Sequence, residues 1–158
     1  MTNPSILWFR VDLRLSDNPA FQKAIELGKP IIPIYILDDD DADNRKLGVA
    51  SKWWLHNSLQ SIHSELEKIG SKILFFKGNA EDVIKKIIDE TDADTILWNR
   101  RYEPWAVKRD KSIKENLISQ SKNVFSFNGS LIYEPWEIKS KLGNPLKVFT
   151  PFKRALLN

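Results

Sequence analysis

Short apolar runs alternate along this chain with longer stretches in which apolar residues recur every three to four positions. The runs are Ser5–Phe9, Ile31–Leu37, Lys72–Phe76, Thr95–Trp98 and Val124–Phe127. Each has the length of a strand and little polar interruption, as expected of strands covered on both faces. Amphipathic segments separate them. Asn18 followed by Pro19 predicts a helix start, and Gly28 a stop after Leu27. Leu55, Leu59, Ile62, Leu66 and Ile69 define one face of a long helix that ends at Gly70. Gly78-Asn79 turns into a helix with Glu81 and Asp82 in its first turn, which suits the helix dipole. Val83, Ile84, Ile87 and Ile88 form its buried face. A further helix over 105–119 turns Val107, Ile113 and Leu117 inward. Pro33 interrupts the second run; it has no N–H, so pairing is expected to start just after it. Near the end, Thr150 reads as an N-cap with Pro151 at the first helical position. Phe152, Ala155 and Leu156 then begin a stripe of barely two turns, too short to be stable alone.

Strands alternating with helices in this way predict β-α-β units and hence a parallel sheet between two helix layers. The expected fold class is α/β, a Rossmann-like three-layer sandwich with a five-stranded parallel sheet. Ligands of such sheets bind beyond the carboxyl ends of the strands, where strand order reverses. The segments that follow the first, second and fourth strands, "RVDLRLSDN", "DDDDADNR" and "NRRYEPW", are therefore the places to look.

Composition narrows the chemistry. The 158 residues suit one domain with a real core. No apolar run approaches the roughly 18 residues of a membrane span. The opening "MTNPSILWFR" lacks the pattern of a secretory leader. There is no cysteine, which excludes disulfides, thiolate metal sites and cysteine nucleophiles; a cytoplasmic location is the expectation. The net charge of +3 is unevenly spread. Residues 1–94 carry 12 basic and 16 acidic side chains, whereas residues 95–158 carry 12 and 5. The second part can face an anionic partner, or simply be a solvated basic surface.

The loops then offer candidates. No Walker A pattern is present and no G-x-G-x-x-G follows the first strand, so dinucleotide binding of the usual sort is not expected. His56 and His63 stand seven apart on one side of the long helix and read as surface residues rather than metal ligands. Asp38 to Asp41 repel one another and suit a solvated loop, although Asp38, first after its strand, can accept hydrogen bonds from a ligand. Arg10, Asp12, Arg14 and Asp17 either pair to fix a turn or bind something. Arg100, Arg101, Tyr102, Glu103 and Trp105 mix arginine with aromatics, which can stack a planar ring, bind nucleic acid or seal an interface. Six tryptophans are more than so small a core needs, and some are expected to line a planar ligand or a partner surface.

Five blocks, in order, resemble the DNA photolyase and cryptochrome family: "ILWFRVDLRLSDNPAF", "PIIPIYILDDD", "SKWWLHNSL", "WNRRYEPWAVKRD" and "GNPLKVFTPFKRA". They cover nearly the whole chain and look most like bacterial cyclobutane pyrimidine dimer photolyases. The resemblance implies a photolyase-type α/β antenna-binding domain over residues 4–133, with residues 134–158 beginning the linker to a second domain. That second domain, helical in the family, holds FAD and repairs pyrimidine dimers by photoinduced electron transfer; it is expected to be absent from this chain. The implied function is to bind the light-harvesting chromophore of a deoxyribodipyrimidine photolyase, without catalysis by these residues alone. The pigment would be methenyltetrahydrofolate or 8-hydroxy-5-deazaflavin. The implied partners are the helical domain and, through the whole protein, DNA, with no membrane. A cryptochrome photoreceptor domain, a stand-alone nucleotide-binding module and an interaction module remain alternatives. Folate-binding members carry an Asn-Glu pair where Trp105 and Ala106 stand here. Carried over from deazaflavin-binding members, the pigment site comprises Phe9, Arg10, Tyr35, Ile36, Leu37, Asp38, Ser51, Arg101 and Glu103, with Trp105 able to stack on the ring.

Overall fold

A computed structural model describes residues 2–38, 46–140 and 143–157. The elements are β1 (Ser5–Phe9), α1 (Pro19–Glu26), β2 (Ile31–Leu37), α2 (Val49–Lys68), β3 (Leu74–Lys77), α3 (Ala80–Thr91), β4 (Thr95–Asn99), α4 (Pro104–Ser119), β5 (Asn123–Phe127) and α5 (Phe149–Leu156). The five strands form one parallel sheet in the order β3-β2-β1-β4-β5. From β1 the chain builds outward to β3, then returns to the other side of β1 with β4. Strand order reverses there, and a crevice opens at the carboxyl ends of β1 and β4.

Period-two alternation sorts the central strands between two cores. Ile6, Trp8, Ile34, Ile36, Ile96 and Trp98 face α3 and α4, where Ile84, Ile87, Ile88, Ile113 and Leu117 meet them. Leu7, Phe9 and Leu97 face α1 and α2 and pack with Ala20, Ala24, Ile62 and Leu66. The result is the expected three-layer sandwich. Asn18 caps α1 by accepting from the Phe21 N–H, and Asn79 caps α3 by accepting from the amides of Glu81 and Asp82.

Four local expectations are corrected. Pairing of β2 with β1 starts at Ser5↔Ile31, before Pro33, which lies opposite Leu7. Only the ladder to β3 begins after the proline, at Ile34↔Leu74. Thr150 is not the cap of the last helix. That helix starts at Phe149 behind Val148, with no side-chain cap, and Pro151 falls third in its first turn. Its missing N–H is still harmless there, because the first four amides of a helix have no intrahelical acceptor. Ile69 is 63% exposed, since it lies past the last helical residue and leaves the stripe. Val107 is 49% exposed, and its neighbour Ala106 is the residue turned inward. Of the acidic run after β2 only Asp38 lies within the described residues.

Candidate functional site

The carboxyl end of β1 runs directly into Arg10, whose side chain is almost fully buried. Its guanidinium donates to the Asn99 carbonyl at the end of β4 and to the Asp110 carboxylate on α4. Asp110 accepts from Arg109 as well, at 2.8 Å, and Arg109 donates onward to Asp38 at 2.8 Å. Asp38, Arg109, Asp110 and Arg10 thus alternate in sign and tie together the ends of β2, α4 and β1. Burial lowers the proton affinity of the Arg10 guanidinium, and Asp110 opposes the effect. A guanidinium keeps its charge in such a setting.

A second network holds the loop after β1. The Asp12 carboxylate accepts from the Arg10 amide at 3.0 Å and from Asn99 Nδ2 at 2.6 Å. Asn99 Oδ1 accepts from the Ala20 amide in the first turn of α1. Gly129 passes so close that a Cβ there would stand 2.6 Å from the Asn99 side chain, and its carbonyl accepts from Arg14 at 2.6 Å. Arg10, Asp12 and Arg14 therefore fix this turn, the pairing role that their density permitted.

The arginines also interleave with indoles. Trp8 lies 5.0 Å from the Arg10 guanidinium and 4.9 Å from that of Arg109. Trp105 lies 5.0 Å from Arg109 and 4.6 Å from Arg101. Contacts of this kind are each worth about 0.5–2 kcal/mol, more as water is excluded. Trp8 and Trp98 meet edge to face, 5.9 Å apart. Among the described residues, two buried N–H groups here lack acceptors: Trp8 Nε1 and Arg10 Nε.

Over this floor opens a cleft of about 500 Å³, at the strand ends where order reverses. Trp8 and Arg10 line its base. Tyr35, Ile36, Leu37 and Asp38 come from the end of β2, and Ser51, Trp54, Leu55 and Ser58 from one face of α2. Arg101 and Arg109 close the side toward β4 and α4, and Val11, Leu13 and Arg14 the side toward the first loop. Its volume is within the range of small-molecule sites, and its lining mixes aromatics with a few polar groups, as such sites do.

Seven residues expected at a pigment site meet in this cleft: Arg10, Tyr35, Ile36, Leu37, Asp38, Ser51 and Arg101. Three do not line it. Phe9 alternates to the opposite face of β1 and is fully buried in the core under α1 and α2. Glu103 stands at the start of α4 and accepts from Arg101 at 2.6 Å. That bond holds its carboxyl below the usual carboxylate range. Trp105 sits against Arg101 and Arg109, outside the cleft lining. Sequence reasoning counts Trp8 and Trp54 only among six tryptophans of which some line a ligand, gives Leu55 only to the helix stripe, and passes over Ser58 and Arg109. A signal for three of them existed. Trp54, Leu55 and Ser58 follow Ser51 at +3, +4 and +7, one face of a helix. Arg109 follows Trp105 by one turn, but nothing in the sequence ties it to Asp38.

Arg100, Tyr102 and Glu134 form a neighbouring cluster. The buried Glu134 carboxylate accepts from the Arg100 guanidinium and, at 2.9 Å, from the Tyr102 hydroxyl. Burial, then the Glu134 hydrogen bond, raises the Tyr102 proton affinity. This pins the segment after β5 to the end of β4. Among the described residues no group of His, Cys, Asp and Glu is arranged to hold a metal ion. None of the described helices is long and apolar enough to cross a membrane.

Comparison with known proteins gives one consistent result. A family model described as DNA photolyase matches residues 5–158. A deoxyribodipyrimidine photo-lyase of Agrobacterium fabrum is 46% identical over 98% of this chain and 32% of its own length. Cryptochrome-1 of Arabidopsis thaliana is 37% identical over 98% of the chain and 23% of its own length. The crystal structure of a bacterial class III photolyase from Agrobacterium tumefaciens superposes with a TM-score of 0.92 at 46% identity, over 100% of this chain and 32% of that one. An archaeal photolyase from Sulfolobus tokodaii, described with two FAD molecules and the implication of a novel light-harvesting cofactor, superposes at 0.76 with 27% identity over 96% and 34%. The chain spans about a third or less of the length of these relatives.

Proposed function

Since this chain belongs to the DNA photolyase family, we propose that its cleft is the light-harvesting site of a deoxyribodipyrimidine photolyase. The observation that carries the reading is the cleft itself. It lies at the point where strand order reverses, over a floor of Trp8 and Arg10 whose buried N–H groups have no acceptor among the described residues. A planar pigment with acceptor atoms at its edge suits that lining. Trp54 and Tyr35 would flank the ring, Ser51 and Ser58 would offer hydroxyls, and Arg101 and Arg109 would favour electron-rich or anionic edges. The pigment, a pterin such as methenyltetrahydrofolate or an 8-hydroxy-5-deazaflavin, supplies light absorption. The chain supplies only a rigid seat, and the Asp38–Arg109–Asp110–Arg10 chain holds its wall.

The flavin chemistry belongs, in this reading, to residues outside the chain. Residues 4–133 act as the antenna-binding domain, and residues 134–158 lead toward an FAD-binding helical domain. Ile132, Trp136, Phe149 and Leu157 are largely exposed, which suits a surface that the rest of a longer protein covers. DNA is then met through that whole protein, in the cytoplasm. The 37% identity to Cryptochrome-1 supports a second reading, a photoreceptor domain built on the same cleft. Titrating the chain with each pigment while following its fluorescence tests the pigment site. Micromolar binding of one of them is the expected outcome; binding of neither sinks the antenna reading.

A further inference from the structure

The cleft does not end at Leu55. Beneath α2 a groove of about 570 Å³ continues from it toward β3, and Tyr35, Leu37 and Leu55 line both. Phe75 and Phe76 of β3 supply an apolar side. The polar residues of the groove are of a different kind from those of the cleft. His56, Gln60 and His63 project from successive turns of α2, and Lys77 stands at the end of β3. Among the described residues no carboxylate belongs to the lining.

His63 clarifies the arrangement. Its ring lies 5.9 Å from that of Phe75, its Nε2 is 3.4 Å from the Glu67 carboxylate, and its Nδ1 is buried with no partner among the described residues. Glu67 stands outside the groove lining. The seven-residue spacing of the histidines brings both of them to the one groove, with Gln60 between and Lys77 opposite. A lysine with an amide and two imidazoles, of which only His63 has a carboxylate partner among the described residues, is complementary to an anion.

Resting on the pigment reading of the cleft, we propose that the α2–β3 groove is a second subsite. It receives an anionic tail, phosphate or carboxylate, carried by the ring that occupies the cleft. The occupant is thus a ring with an extended acidic side chain, not a bare chromophore. The shared residues Tyr35, Leu37 and Leu55 make the passage between ring and tail continuous and apolar. Lys77, Gln60, His56 and His63 meet the charge at its end.

Two matched pairs of probes test this on the 158-residue chain. One is 8-hydroxy-5-deazariboflavin without and with a 5′-phosphate; the other is methenyltetrahydropteroate, which lacks the glutamyl tail, and methenyltetrahydrofolate, which carries it. The pair whose tail suits the groove should show a preference for the more acidic member of about tenfold or more, the size of one charge-assisted contact. Lys77 is exposed, so its substitution leaves the core intact. Lys77→Met should abolish that preference and leave the less acidic member's affinity unchanged. Lys77→Glu should reverse it, and Lys77→Arg should restore it. Equal affinity within both pairs, or a preference that survives Lys77→Glu, overturns the tail subsite while the cleft reading stands. Failure of all four probes to bind overturns both.

Discussion

Arg109 donates to Asp38 at 2.8 Å, across 71 positions of sequence, and so joins the fourth helix to the end of the second strand. The same guanidinium lies between the rings of Trp8 and Trp105, 4.9 Å and 5.0 Å from their centres. One side chain therefore sets the distance between two walls of the cleft and holds two indoles in register with it. The consequences are testable residue by residue.

Asp110 is the carboxylate on which Arg10 and Arg109 converge. Removing it leaves two buried guanidiniums short of an acceptor. Asp110→Ala is expected to cost about 3–5 kcal/mol, the range for breaking a buried ion pair from one side. Urea unfolding measures it. A loss below about 1 kcal/mol would mean that water reaches and solvates Arg10.

Gly129 has no room for a methyl group, because Asn99 occupies the space at 2.6 Å. Gly129→Ala should displace the Asn99 amide, which holds both Asp12 and the first turn of α1. The expected penalty is about 1–3 kcal/mol, as for overpacking. Thermal unfolding reads it as a lower Tm, and amide exchange should quicken first at Ala20.

Trp53 and Trp54 are adjacent, both exposed, and separated by about 100° around α2. Only Trp54 lines the cleft. Trp54→Ala should weaken pigment binding about tenfold or more, the scale of one lost aromatic contact in a largely buried ligand. Trp53→Ala should leave the affinity unaltered. Equal effects of the two substitutions in a fluorescence titration would place the ring elsewhere.

Asp94 is held below the ordinary carboxylate range, first by the Lys29 ammonium at 2.6 Å and then by Thr95. A carboxyl with a lower pKa folded than unfolded adds stability above its unfolded value, about 3.9. That contribution is lost as pH falls through the depressed folded value. Lys29→Met should therefore be less stable than the parent near neutrality, and the two should converge below about pH 4. Urea midpoints across pH give the curve. The pair is partly exposed, so a modest gap is expected; a gap independent of pH would assign the effect to lost packing of the lysine stem.

The excess of basic side chains in residues 95–158 favours weak contact with phosphate backbones. Any DNA binding by this chain should fall steeply between low and physiological salt. It should show no preference for dimer-containing over intact duplex, since the reading assigns lesion chemistry to residues outside the chain. Gel-shift competition decides, and a clear preference for damage would contradict that assignment.

Much of the architecture was legible in the sequence because its signals are local. Five apolar runs, the Asn18-Pro19 cap, the Gly78-Asn79 turn and the stripe on α2 each arise from a few neighbouring residues, and each became the element expected. Where local signals compete, the reading slipped by a residue or a turn. Pro33 entered the ladder to β1 because β3 starts only one residue later. Ala106 took the inward position from Val107, since a one-residue step rotates a helix by about 100°.

The sequence by itself determined the layers, the strand boundaries within a residue or two, and the end of the sheet at which a ligand belongs. Those follow from hydrophobic period and from the rules of β-α-β connection. The tertiary structure alone decided which side chains face one another across the cleft. Phe9 and Trp8 are neighbours in sequence, yet the pleat sends one into the core under α1 and α2 and the other to the cleft floor. Arg109 meets Asp38 only because elements distant in sequence lie side by side. Long-range pairing of this kind leaves no periodic trace in the chain, because its geometry is set by how whole elements pack.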